Sequence, residues 1–222
     1  MKASIIIPSY NAEKTIKKAV DSALSQDYQN FEVIVVNDGS SDNSFEILRS
    51  YGSKIVLINQ ENKGAVKAAN IGFKKAGGEY IVKLDADDWF EKDLLKKCCF
   101  VLDKRKDIDF VYSDYYEIKK GRKFLVSTKD NLFNTIAIGM VYRKDKLQEQ
   151  GYYSENMKFA EYDLLLRTLG KWKGHHIAEP LFTYFRHEKS LTAKKEFLET
   201  AFKELRKAHP DKIEQIKKIR EY

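Results

Sequence analysis

Five short runs rich in β-branched residues, at 4–8, 31–37, 54–59, 80–84 and 109–113, alternate with segments whose apolar residues recur at helical spacing, and this alternation constrains the fold more than any other feature. The helical segments cover 12–25, 42–51, 65–76 and 91–102, with Ile16, Val20, Ala23 and Leu24 marking one apolar face. A β-α-β series of this kind folds into a parallel sheet with right-handed crossovers and helices on both faces. A chain of 222 residues supports one such core with elaborations, so one active site is expected.

Beyond residue 113 the texture becomes α+β. Segments 115–118 and 123–127 flank Lys120-Gly121 as a hairpin, and 135–142 is expected to return to the sheet as a strand. A helix at 161–169, strands at 175–177 and 181–186, and a charged tail at 193–222 split in two by Pro210 complete the pattern. The expected organisation is one domain over 1–192, with halves 1–113 and 114–192, followed by the helical tail. A hydrophobic fraction of 43% with 33% charged residues excludes a disordered chain. The net charge of +7 suits an anionic substrate, an anionic membrane surface or nucleic acid. No zinc-finger spacing or RRM-like aromatic signature accompanies it, so no nucleic-acid partner is expected. Cys98 and Cys99 are adjacent and form no disulfide framework, which fits a reducing compartment. The apolar run Ile5-Ile6-Ile7 is too short for a signal peptide and no run of about 18 apolar residues occurs, so a cytoplasmic location is expected.

Open α/β sheets bind ligands beyond the carboxyl ends of their strands. Three polar clusters fall there: Pro8-Ser9-Tyr10-Asn11, Asn37-Asp38-Gly39-Ser40-Ser41-Asp42 and Asp85-Ala86-Asp87-Asp88. Carboxylates as crowded as those of the third cluster repel one another, and a divalent cation bridging to phosphate oxygens relieves that repulsion. Taken alone, Asp87 or Asp88 serves equally as a cap for the helix near Glu91. Asp38 is suited to accept hydrogen bonds from a base or ribose, with Gly39 permitting a tight turn, although the same string occurs in ordinary strand-to-helix turns.

In their order and spacing, Ile5-Ile6-Ile7-Pro8-Ser9-Tyr10-Asn11, Val35-Val36-Asn37-Asp38-Gly39-Ser40-Ser41-Asp42, Asn62-Lys63-Gly64-Ala65-Val66-Lys67-Ala68-Ala69-Asn70-Ile71-Gly72 and Leu84-Asp85-Ala86-Asp87-Asp88 together resemble glycosyltransferase family 2. The resemblance implies a GT-A fold, in which a Rossmann-like, mostly parallel sheet flanked by helices forms a nucleotide-sugar-binding half continuous with a smaller α+β acceptor half. It also implies inverting transfer from a nucleoside diphosphate sugar, with UDP as the family default, and a divalent cation, Mn²⁺ or Mg²⁺. By the motif match Pro8, Tyr10, Asn11 and Asp38 hold base and ribose, Asp85 with Ala86 the ribose or sugar, and Asp87 the metal. Lys67 stands where the family often has Arg, keeping the charge but not the planar fork. Phe159-Ala160-Glu161-Tyr162-Asp163-Leu164 resembles the family's acidic segment, which makes Glu161 the candidate general base and Asp163 the fallback. Tyr184-Phe185-Arg186-His187 resembles a later pattern, with His187 one residue early; Arg186 is then a phosphate contact and His187 a second metal ligand.

The expected reaction is transfer to a hydroxyl of a glycan or lipid-linked saccharide, as in polysaccharide biosynthesis. A sugar nucleotidyltransferase fits less well, because Pro8-Ser9-Tyr10-Asn11 lacks the glycine-rich phosphate loop of that class. An inactive nucleotide-sugar-binding module is the other alternative, motivated by Ala160 and the shifted His187. The tail offers Phe197, Phe202, Leu205, Ile213, Ile216 and Ile219 for an apolar face, which suits weak peripheral contact with the inner face of a membrane, packing on the domain, or a homodimer.

Overall fold

The computed structural model describes residues 3–135, 138–188 and 190–219. Its elements are β1 (Ala3–Ser9), α1 (Ile16–Leu24), β2 (Phe31–Asp38), α2 (Ser44–Arg49), β3 (Val56–Gln60), α3 (Ala65–Lys75), β4 (Tyr80–Lys83), β5 (Trp89–Phe90) and α4 (Leu94–Lys104). They continue with β6 (Phe110–Lys119), β7 (Arg122–Val126), β8 (Val141–Arg143), α5 (Lys144–Glu149), α6 (Ala160–Thr168), β9 (Gly174–Arg186), α7 (Lys195–Ala208) and α8 (Ile213–Ile216). The described strands form one sheet in the order β3-β2-β1-β4-β8-β6-β9-β5, with β7 paired to the outer part of β6. β1 to β4 run parallel, and β8 enters antiparallel between β4 and β6.

Period-two alternation distributes the strand residues between two cores. Ile5, Ile7, Val33, Val35, Tyr80 and Val82 pack with α1 and α4 on one face; Ile6, Ile34, Val36 and Ile81 pack with α3, α6 and α7 on the other. Each such side chain contributes about 1.5–3 kcal/mol when fully buried. Gly72 lets α3 lie close on β1, since a Cβ there would come within 2.3 Å of Ile6 Cγ2. Cys98 and Cys99 are free thiols inside the first core.

Several expected boundaries differ. Segments 109–113 and 115–118 are one strand, β6, because the break after Ser113 is a register shift against β9 rather than a strand end. The same pairing makes 175–177 and 181–186 a single strand, β9. Within 135–142 only Val141 and Tyr142 enter a strand, residues 136 and 137 lying outside the described residues, and β3 starts at Val56 after a short turn. The hairpin at Lys120-Gly121 forms as expected, both residues having positive φ (51° and 73°), which suits a two-residue turn.

The tail does break at Pro210, but its apolar face is not available to a membrane. Leu205, Ile216 and Ile219 are buried in the second core, and Phe197, Phe202 and Ile213 pack against it. Residues 220–222 lie outside the described residues. Among the described residues no helix is long and apolar enough to cross a membrane.

Candidate active site

β2, β1 and β4 lie side by side in parallel, so their carboxyl ends share one edge of the sheet. Strands neighbour at about 4.8 Å, which sets the ends of β2 and β4 roughly 10 Å apart. The loops after β1 and β2 clasp each other: the Asn11 N–H donates to Ser40 Oγ (3.0 Å) and the Ser41 N–H to Asn11 Oδ1 (2.8 Å). Asn11 takes φ 48° in this clasp. Tyr10, beside it, is 52% exposed, while Pro8 is buried in β1 opposite Val36. Asp38 is buried, and its two oxygens accept from Gln60 Nε2 (2.6 Å), the Lys63 N–H (2.8 Å) and the Gly64 N–H (2.8 Å). It thereby fixes the approach to α3. Gly39 is required beneath this loop, because a Cβ would sit 2.7 Å from the Asn62 nitrogen and φ is +72°. Lys67, on the first turn of α3, is exposed beside a cleft of ≈ 330 Å³ shared with Glu155, Met157 and Phe197. A second cleft of ≈ 440 Å³ opens at the ends of β2 and β3, lined by Asn37, Gly39, Ser40 and Asn59 among others. Neither cleft contains Asp85, Asp87 or Glu161.

The turn after β4 is organised by longer-range contacts. Lys83, the last residue of β4, is buried, and its Nζ meets Asp85 Oδ1 at 2.8 Å and Glu161 Oε1 at 2.6 Å. Burial works against its charge, but the carboxylates of Asp85 and Glu161 outweigh burial and hold its pKa above the usual lysine value. Asp87 Oδ2 lies 2.9 Å from His187 Nε2. Burial, and then the charge of Asp85, push the Asp87 carboxyl up, with His187 partly offsetting them. Asp88 Oδ1 accepts the Phe185 N–H at 2.7 Å, stapling this turn to β9, while its Oδ2 is buried without a hydrogen-bond partner among the described residues. Burial and the charges of Asp87 and Asp85 raise Asp88 well above the ordinary carboxylate range.

Glu161 and His187 therefore join the Asp85–Asp88 turn, whereas Asp163 does not. Two residues along α6 from Glu161, Asp163 is buried and holds Ser154 Oγ, Arg167 Nε and His209 Nε2. Burial opposes its charge, yet these partners hold its pKa below the ordinary value. Arg186 runs beside β6 with Nη1 4.0 Å from Glu117 Oε1. Ala86 is half-buried at the turn's crest. Ala160 is buried in the second core.

Lys83 gained no role from the sequence reading, and Asp88 none beyond the acidic cluster and a helix cap, a place that Asp93 takes without a side-chain bond. A lysine closing the otherwise apolar strand Tyr80-Ile81-Val82, two residues before Asp85, was the available signal for the first. The second depends on a contact across 97 positions that no local pattern reveals. The donors at the turn suit a hard or borderline divalent cation: a carboxylate oxygen destabilised by burial and by a neighbouring charge, beside an imidazole nitrogen. Among the described residues no three His, Cys, Asp or Glu side chains converge on one point.

A family model described as Glycosyl transferase family 2 matches residues 4–168. An Escherichia coli protein named UDP-Glc:alpha-D-GlcNAc-diphosphoundecaprenol beta-1,3-glucosyltransferase WfgD is 43% identical over 115 residues, covering 50% of this chain and 45% of its own length. Among solved structures, S. aureus TarS in complex with UDP-GlcNAc superposes with TM-score 0.73 at 24% identity, covering 96% of this chain and 70% of that one. Mannosyltransferase PcManGT from Pyrobaculum calidifontis, in complex with GDP-Man and Mn²⁺, gives TM-score 0.68 at 16% identity, covering 91% of this chain and 63% of that one. The chain spans less than half the length of the curated relatives it matches.

Proposed function

The chain belongs to glycosyl transferase family 2, and from that premise we propose that it is an inverting glycosyltransferase, moving a sugar from a nucleoside diphosphate carrier to an acceptor hydroxyl. The observation that carries this reading is a pair of contacts at the turn after β4: Lys83 holds Asp85 and Glu161, and His187 reaches Asp87. A UDP-linked donor is favoured because WfgD is a UDP-Glc-dependent glucosyltransferase by name and the TarS structure is a complex with UDP-GlcNAc. The acceptor is a glycan or lipid-linked saccharide, by analogy with the diphosphoundecaprenol in the name of WfgD.

In the proposed reaction the acceptor oxygen attacks the anomeric carbon while Glu161 takes its proton. The bond from that carbon to the diphosphate oxygen breaks, the electron pair leaves with the nucleoside diphosphate, and configuration inverts. Asp87 and His187 are the residues that would hold Mn²⁺ or Mg²⁺, which neutralises charge on the leaving diphosphate. No proton donor to the leaving group is needed, because a diphosphate departs as an anion. Lys83 fixes Glu161 and Asp85 against one another, so the base and the sugar-contacting carboxylate keep a constant spacing. Tyr10 and Asn11 flank the nucleotide side, Asp38 orders the loop leading to Lys67, and Lys67 and Arg186 supply positive charge around the phosphates.

Ala160 is buried in the core, and Glu161 is the carboxylate of this segment that reaches the turn, through Lys83. A screen of nucleotide sugars with Mn²⁺ or Mg²⁺, reading released nucleoside diphosphate, tests the proposal alongside Asp87→Ala and Glu161→Gln. Metal-dependent release by the wild type and its loss in both variants supports the reading. Tight nucleotide binding with neither transfer nor donor hydrolysis identifies a binding module instead.

A further inference from the structure

We propose that the β6–β7 hairpin is a docking surface for an anionic bilayer. Residues 119–125 are exposed without interruption, and among them Lys119, Lys120, Arg122 and Lys123 are accompanied by no acidic residue. None of the four forms an ion pair among the described residues; Lys123 instead lies over the Tyr116 ring at 3.6 Å. Elsewhere on the surface cations commonly sit against carboxylates, as in Lys17–Asp21, Arg49–Glu46 and Lys96–Asp27. The same strand exposes Phe124 (46%) and Leu125 (63%). Among the described residues β7 pairs only with β6, so its outer edge is open.

Charge and apolarity together select the occupant. Four cations without a counter-charge favour a negative surface, each adding attraction near anionic lipid. A soluble polyanion gives Phe124 and Leu125 no apolar environment, whereas the boundary of headgroups and acyl chains does. A second copy paired along the open edge would bring like-charged strands together, which opposes association. With its edge laid on the bilayer, β7 directs Phe124 to one side and Leu125 to the other, between lysine and arginine ammonium and guanidinium groups that remain among the headgroups. Register then links this surface to the site: Ile118 pairs Phe185 and Lys119 pairs Arg186, so the hairpin runs beside the strand end that leads to His187. The inference extends the proposed transfer reaction by stating where a lipid-linked acceptor is met, and it is tested without catalysis.

The test is co-sedimentation of the full chain, without donor, with vesicles of phosphatidylcholine containing phosphatidylglycerol and with vesicles of phosphatidylcholine alone. The wild type is expected on the anionic vesicles only. The variant Lys119→Gln/Lys120→Gln/Arg122→Gln/Lys123→Gln is expected to lower partitioning roughly a thousandfold, and Phe124→Ser/Leu125→Ser about tenfold. Both variants alter exposed side chains, and unchanged thermal melting establishes that they fold. Equal sedimentation of the wild type and both variants, or none by the wild type, overturns the proposal. So does the pattern of a soluble-polyanion site, in which inorganic polyphosphate displaces the protein and Phe124→Ser/Leu125→Ser binds as the wild type does. Because nucleotide-sugar turnover is measured separately, an inactive protein that still binds these vesicles contradicts only the transferase reading.

Discussion

The acidic turns after β2 and β4 stand on the same sheet edge and treat their carboxylates in opposite ways. Asp38 is buried and accepts three hydrogen bonds from protein donors, which order the loop into α3. Burial, and then the charge of Asp85 on Asp87 and the charges of Asp87 and Asp85 on Asp88, disfavour the ionised forms of both. A carboxylate held by several protein donors braces a loop; an under-compensated cluster is poised for a ligand bearing positive charge. Lys83 divides the second turn further, since it pairs with Asp85 and Glu161 while Asp87 faces His187.

The contrast is tested first by substituting Asp87, the carboxylate proposed to hold the metal. Asp87→Asn is expected to lower sugar transfer by at least about a thousandfold while raising the melting temperature of the metal-free protein, because a repelling charge is removed. Activity assays and calorimetric melting of the same preparation give both readings, and a lower melting temperature would place Asp87 with Asp38 as a brace. Glu161→Gln comes next, with kcat falling about 10²–10³-fold and donor KM little changed in steady-state kinetics. For Lys83→Met the expected loss in kcat is about ten- to a hundredfold, together with a stability loss of about 3–5 kcal/mol from two carboxylates left without their cation. Denaturant unfolding measures the latter, and Lys83→Arg should recover part of both. Asp38→Asn is expected to cost about 1–3 kcal/mol of stability and to change activity only severalfold.

The smallest effect concerns pH. Asp87 titrates above its unfolded value, so the stability tied to it is fully present below about pH 4 and is lost as pH rises through the folded-state value. The melting-temperature difference between Asp87→Asn and the wild type, both metal-free, should therefore be near zero in acid and widen toward neutrality. Asp163 is depressed by its partners and has the reverse dependence: its contribution is present above about pH 4 and is lost as pH falls. Asp163→Asn should accordingly destabilise at neutral pH and converge on the wild type in acid.

Much of the sheet was legible because Ile5 to Ile7, Val33 to Val36 and Tyr80 to Val82 are local runs with local turn signals after them. The second half was less so: β6 and β9 are each continuous only by virtue of pairing with one another, and their shared irregularity near Asp114 looks in sequence like two strand ends. The site divides similarly. Asp85, Asp87 and Glu161 stand in motifs, and His187 lies 2.9 Å from Asp87 despite its shifted spacing. Asp163 belongs to the same motif as Glu161, but the helix turns it into a network with Arg167 and His209 that only the docked tail completes. Lys83 was obscured because a strand-end lysine ordinarily reaches solvent, whereas both faces of β4 are covered here.

The most direct measurement is calorimetric titration of UDP into the wild type and Asp87→Asn, each with Mn²⁺ and with EDTA. If the turn after β4 grips a diphosphate through a cation, the wild type binds UDP much more tightly with Mn²⁺ than with EDTA, and Asp87→Asn loses that gain. Equal UDP affinity in all four titrations would contradict it.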